Sequence, residues 1–269
     1  MVSYEQKAHY GIEDLREIVR LLRSPGGCPW DKEQTHTSIR NDFLEEAYEA
    51  VEAIDLLDMT LMREELGDVL LQVVFHCTLA EEEKAFDFEE VCDEICKKLI
   101  VRHPHVFGDV KAEDTDTVLK NWDAIKKETK GQETYADTLR SVARSLPALS
   151  RAQKVGKRAA RAGMDFRTAA DAFACVEAER AELEAAIRSE DASLAEEELG
   201  DLLFSCVNTA RHLGIDAEQA LTQATEKFTQ RFAATEQLVA ADGRDMPELP
   251  IEELDLYWDR VKKQAGSAD

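Results

Sequence analysis

Apolar residues recur along this chain at three- and four-residue spacing, the mark of helices that bury one face. Ile12, Leu15, Ile18, Val19 and Leu22 make the first such stripe, and SPGGCPW at 24–30 breaks it. The pattern predicts a second helix over 35–57, with Leu44, Tyr48, Val51 and Ile54 on one face, and a third over 61–82. A fourth begins at the capping-box pair Asp87 and Glu90 and stops at HPHVFG, 103–108, read as a helix-end turn with two exposed histidines. A fifth carries Trp122. GQETYADTL at 131–139 is polar, lacks helical periodicity and is read as a linker. After RSLPALSRAQKVGKRAA the series begins again, with GMDF at 163–166 as its break.

The second series echoes the first residue by residue. LEEAYEAVEAI at 44–54 and EELGDVLLQVV at 64–74 return as AELEAAI at 181–187 and EEELGDLLFSCV at 196–207. Glu46, Glu49, Glu65 and Asp68 each lie 133 positions before Glu179, Glu182, Glu198 and Asp201. Downstream, FDFEEVCDEICKKLIVR at 86–102 resembles IDAEQALTQATEKFTQR at 215–231, which pairs Lys98 with Lys227 and Arg102 with Arg231. A WxxxK pair closes each half, Trp122 with Lys126 and Trp258 with Lys262. The expected fold is all-α: tandem duplicated helical-bundle domains at 1–130 and 145–269, joined by a linker at 131–144.

Composition agrees with helices, since aromatics make up only 7% of the chain, with 12 Gly and 6 Pro. Charge narrows the partners. Against 33 Lys and Arg stand 56 Asp and Glu, a formal −23, so the average field repels polyanions and argues against nucleic acid. A phosphate-bearing substrate would need cations placed locally. No apolar run approaches the length of a membrane span and no signal-peptide core opens the sequence, so a soluble, cytoplasmic protein without a membrane partner is expected. The six cysteines form no CxxC, and four lie in apolar helical stretches, where reduced thiols serve as small core residues. That pattern argues against disulfides and structural zinc.

The acids carry the candidate chemistry. Helix positions three apart share a face, so Glu46 with Glu49 presents one pair of carboxylates and Glu65 with Asp68 another. If the two helices are antiparallel neighbours the pairs meet, and such a cluster calls for a hard divalent cation, Mg²⁺ or Mn²⁺, with oxygen ligands. One ExxE in an acidic chain is ordinarily a solvated face; four acids repeated without a gap are a site. Glu45, Glu52, Glu64, Glu196 and Glu197 have no such claim and are read as solvated. A di-iron bundle would need ExxH motifs, and Glu33 with His36, the one match nearby, falls outside the repeat, so His36 reads as incidental. There is neither a P-loop nor a GxGxxG. Phosphates are therefore left to side chains: Lys98 with Arg102 and Lys227 with Arg231 are i,i+4 pairs suited to a triphosphate, although the helix macrodipole also favours cations there. Trp122 and Trp258 either stack on a base or anchor the core.

Taken together, GCPWDKEQTH at 27–36, LEEAYEAVEAI, REELGDVLLQVVFH at 63–76, KLIVRHPHVFGD at 98–109 and SLPALSRAQK at 145–154 resemble the tandem-domain MazG family of nucleoside triphosphate pyrophosphohydrolases, over nearly the whole chain. The resemblance implies a homodimer of helical bundles that binds ATP-like nucleoside triphosphates, holds Mg²⁺ and hydrolyses NTPs and dNTPs between the α and β phosphates. It implies metal ligation by Glu46, Glu49, Glu65 and Asp68, and by Glu179, Glu182, Glu198 and Asp201. It also implies nucleotide contact by Lys98, Arg102, Lys227, Arg231, Trp258 and Lys262, and the WxxxK repeat adds Trp122 and Lys126. Glu46, Glu49, Glu179 and Glu182 are also the candidates for activating the attacking water. The second half departs from the pattern, with AExxE at 178–182 in place of EExxE, Thr225 where relatives carry Asn and Leu194 where they carry Lys. Two other readings are a narrower pyrophosphohydrolase of the dUTP or phosphoribosyl-ATP type, and a non-catalytic acidic helical adaptor.

Overall fold

A computed structural model describes residue 2 and residues 4–108, 114, 118 and 134–265. Among them every regular element is helical, and the chain divides into two compact units, 1–126 and 127–269. The helix expected to carry Trp122 lies outside the described residues, as do Trp122 and Lys126 themselves.

In the first unit α1 (Ile12–Arg23) and the short α2 (Pro29–Glu33) lead to a hairpin of α3 (Arg40–Asp55) and α4 (Met59–Glu82). α5 (Phe88–Arg102) and the single turn α6 (Pro104–Phe107) follow. Val19, Ile39, Val74, Phe75 and Leu79 form the core, with Leu15, Leu71 and Phe88 packed around it. A row of arginines on α1 seals its edge: Arg16 to Glu89, Arg20 to Glu81 at 2.9 Å and Arg23 to Glu82 at 2.7 Å. The Asp87 and Glu90 capping box opens α5 as the sequence predicts. At the other end His103 and His105 are half-buried rather than exposed, because Pro104–Phe107 winds into a helical turn that folds them inward.

The second unit begins with α7 (Tyr135–Arg140), inside the segment read as a non-helical linker. Capping decides here, not periodicity: Thr134 accepts from the Asp137 amide while Asp137 accepts from the Thr134 amide, enough to start a short helix. Then come α8 (Ala148–Arg161), the hairpin of α9 (Ala169–Ser189) and α10 (Ala192–His212), α11 (Ala217–Ala241) and α12 (Ile251–Ala265). Gly156 lets α8 lie close against α10, since a Cβ there would stand 2.8 Å from Asn208 Oδ1. Buried Gln153 ties α8 to the start of α11, donating to Ile215 O and accepting from the Ala217 amide. Val239, Leu249 and Tyr257 centre a smaller core between α11 and α12.

The duplication reaches the backbone. Both hairpin turns put a non-glycine residue in the left-handed region, Leu57 at φ 56° and Glu190 at φ 57°, again 133 positions apart. Each is followed by an aspartate that caps the next helix, Asp58 accepting from Thr60 and Leu61, Asp191 from Ser193 and Leu194. The halves then part in length, α4 running 24 residues and α10 only 21.

Two expectations about burial fail. Leu44, Tyr48, Val51 and Ile54 do share one face of α3, but that face is 40–55% exposed; the side turned to α4 is lined by Ala50 and Ala53. Among the cysteines Cys77 is buried, whereas Cys92, Cys96 and Cys206 are exposed and Cys175 is intermediate. On α3 periodicity identified a shared face correctly but did not say whether this chain covers it, and an apolar stretch alone did not say which of its cysteines turn inward. No helix among the described residues is long and apolar enough to cross a membrane.

Candidate active site

The two hairpins do with the acids what their spacing suggests. In the first, α3 supplies Glu46 and Glu49, α4 supplies Glu65, and one carboxylate oxygen from each lies within 4.8 Å of the others. The second repeats the set within the same limit, with Glu179 and Glu182 on α9 and Glu198 on α10. Small residues at the helix contact, Ala50 and Ala53 in one half and Ala186 in the other, let the helices approach. Asp68 and Asp201 stand outside these trios, but near enough for their charges to act on them.

Like charges at this distance resist ionisation. Burial, followed by Asp68 and Glu49, pushes the Glu46 carboxyl above its ordinary value. Glu65, 9% exposed, is pushed up by burial and then by Glu49 and Asp68. Glu198 is raised in the same way, by burial and then by Glu182, Asp201 and Glu179. Each trio is an oxygen-only donor set whose ionisation is opposed by its members, and a divalent cation relieves that opposition. Glu45, Glu52, Glu64, Glu196 and Glu197 are exposed and take no part in either trio.

The cations are less gathered. Lys98 and Lys227 are exposed, Arg102 is buried at 8% and Arg231 is intermediate. Lys262 pairs with Asp259 at 3.3 Å. Trp258 is half-buried, with its ring 5.2 Å from that of Phe228, which in turn lies 6.3 Å from Phe232. Phe228 was not foreseen; its position directly after Lys227 was the available signal. Three of the four spaced acids thus come together in each half, with Asp68 and Asp201 outside the trios.

The family model of the MazG nucleotide pyrophosphohydrolase domain matches residues 34–107 and again 167–234, one match over each hairpin and the helix after it. The chain belongs to the MazG family. It is 46% identical over 256 residues to the nucleoside triphosphate pyrophosphohydrolase of Escherichia coli K12, covering 94% of this chain and 97% of that one. It is 44% identical over 251 residues to the nucleoside triphosphate pyrophosphohydrolase/pyrophosphatase MazG of Thermotoga maritima, covering 93% and 95%. An uncharacterized Bacillus subtilis protein, YabN, is 40% identical over 263 residues, which is 97% of this chain and 54% of YabN. Each MazG match contains one carboxylate trio.

Proposed function

We propose that this chain hydrolyses nucleoside triphosphates, ribo or deoxy, to the monophosphate and pyrophosphate, using Mg²⁺, with water attacking the α phosphorus. The observation that carries the reading is the carboxylate trio repeated at equivalent positions in both hairpins, within family matches whose relatives are named for this reaction. Glu46, Glu49, Glu65 and Asp68 would hold the cation in the first unit, and Glu179, Glu182, Glu198 and Asp201 in the second. When bound, the cation neutralises triphosphate charge and acidifies water. Glu46 or Glu49, and Glu179 or Glu182, would orient that water and accept its proton. Lys98 and Arg102, or Lys227 and Arg231, take up charge on the departing pyrophosphate. Trp258, backed by Phe228, offers a flat face to the base, and Lys262 lies one turn further along α12. The WxxxK repeat assigns the same roles in the first half to Trp122 and Lys126, which lie outside the described residues. Phosphorus NMR of the protein with Mg²⁺ and a panel of NTPs decides the reaction. Pyrophosphate with monophosphate is expected; orthophosphate with diphosphate would overturn the site of attack.

The same reading includes a homodimer. Leu44, Tyr48, Val51 and Ile54 on α3, with Leu66 and Leu70 on α4, leave 40–55% of each side chain exposed along helices that also carry the acids. A second copy of the chain is the partner that would cover this face. Sedimentation should give twice the 30.2 kDa of one chain, and Tyr48→Glu combined with Val51→Glu should bring it down to one. A wild-type mass of 30.2 kDa at micromolar concentration would rule the dimer out.

A further inference from the structure

His36, left aside by the repeat, is not alone in the fold. Its Nδ1 lies 2.7 Å from Nδ1 of His76, and the two rings meet edge to edge, their centroids 5.0 Å apart and their planes within 4° of each other. His36 sits in the connection between α2 and α3, and His76 on α4, so the contact fastens the start of α3 to its hairpin partner. It does so at the end opposite the Leu56–Asp58 turn, and the trio of Glu46, Glu49 and Glu65 lies between the two fastenings. Two imidazoles can share this bond only while at least one Nδ1 is bare, because an N–H facing an N–H at 2.7 Å repels.

The surroundings leave the pair to itself. α3 presents the edge of Phe43 to His76, with ring centroids 5.8 Å apart. α1 presents Arg23, which donates to Asp31 O on α2 and Gln34 O of the connection and is already paired with Glu82. Asp31, Lys32 and Glu33 on α2 and Arg40 and Asp42 on α3 are the charges nearest to His36 along the chain, and none of them bonds to either ring. Burial, and then the charge of His36, holds His76 below the ordinary imidazole value. A histidine depressed in this way contributes stability that is full above about pH 6.5 and drains away as the pH falls below it.

The second unit fastens the same place with different chemistry. Positions 133 residues on from His36 and His76 are Ala169 and Thr209. In their stead Asp165, in the connection between α8 and α9, holds Arg211 and, at 2.9 Å, His212 on α10. Arg211 keeps the Asp165 carboxyl well below the usual carboxylate range, so this ion pair persists throughout the acidic window in which the histidines change state.

We infer that His36 and His76 are positioning residues forming a proton-governed clasp on the first unit alone: it fixes the start of α3 to α4 while at most one imidazole is protonated and releases it when both are. Its consequence for the acids of the first hairpin rests on the proposed function; the clasp itself does not.

Hydrogen exchange on the full chain, at pH 7.5 and 5.5 and corrected for intrinsic rates, tests it together with His76→Gln and His76→Leu. In the wild type, amides of residues 36–44 should exchange about tenfold faster at pH 5.5, while 163–170 stay unchanged. His76→Gln, whose amide oxygen accepts from His36 in either protonation state, should hold at both pH values; His76→Leu should be fast at both. If His76→Leu fails to fold, the wild type and His76→Gln still decide. Equal wild-type protection at the two pH values, or the same acid response in His76→Gln, would overturn the clasp. Mn²⁺ affinity supplies the second readout, as the ratio of wild type to His76→Gln, in which protonation of the carboxylates cancels. That ratio should fall with pH; no Mn²⁺ binding by either protein would count against the proposed function and leave the exchange result standing.

Discussion

Replacing Glu49 by Gln, and separately Glu182 by Gln, should divide the activity between the halves. The variant that disables a working half loses at least about 100-fold in that half's kcat/KM, equivalent to about 2.7 kcal/mol of transition-state stabilisation. Gln keeps the size and one oxygen but gives up the charge, in a trio whose oxygens lie within 4.8 Å. If only one half turns over, one variant is nearly inert and the other nearly normal. If both do, each single variant keeps part of the rate and the double variant keeps none. Full activity in the double variant would show that these acids are a solvated face after all.

The second large effect is an inversion of stability. Glu65 is nearly buried and its carboxyl is raised by burial and then by Glu49 and Asp68. A raised carboxylate stabilises the fold fully below its ordinary range, and the contribution is lost as pH rises through the raised value. At neutral pH the metal-free hairpin therefore carries the repulsion. Glu65→Gln should raise the melting temperature of the metal-free protein, and Glu198→Gln should do the same in the other unit. Each variant should also forfeit its hairpin's share of the stabilisation by cation, about 2.7 kcal/mol at a hundredfold excess over Kd, or roughly 5–10 °C. Calorimetry with and without Mg²⁺ reads both. A cation-induced rise undiminished in Glu65→Gln would remove that residue from the ligand set, and no rise in the wild type would favour the acidic adaptor.

Much of the candidate site was legible in the sequence because its information is local. ExxE and ExxD each lie within one helical turn, and a hairpin needs only antiparallel neighbours to bring them together. What escaped was of another kind. The clasp joins residues 40 apart through a contact that no spacing rule encodes. The helix at Tyr135–Arg140 depends on reciprocal capping by Thr134 and Asp137 in a stretch without apolar periodicity. The bare face of α3 was correctly grouped but not correctly covered, since a period reveals which residues travel together and is silent about which molecule they meet.

The unequal lengths of α4 and α10 re-index the two sites. Fourteen residues separate Asp68 from the end of α4 at Glu82, whereas eleven separate Asp201 from the end of α10 at His212. The return helices are counted alike, Lys98 and Lys227 each standing eleven residues beyond their capping aspartates, Asp87 and Asp216. At about 1.5 Å of axial rise per residue, Asp68 therefore stands about 4.5 Å farther from the end of its helix than Asp201 does, while Lys98 and Lys227 stand equally far from their caps. A difference in length at the far end of one helix thus changes the stretch of fold between the acids and the cations that follow them, while the spacing of the acids themselves is kept. Duplicated halves can drift apart through the lengths of the helices that carry a site as well as through the residues that form it.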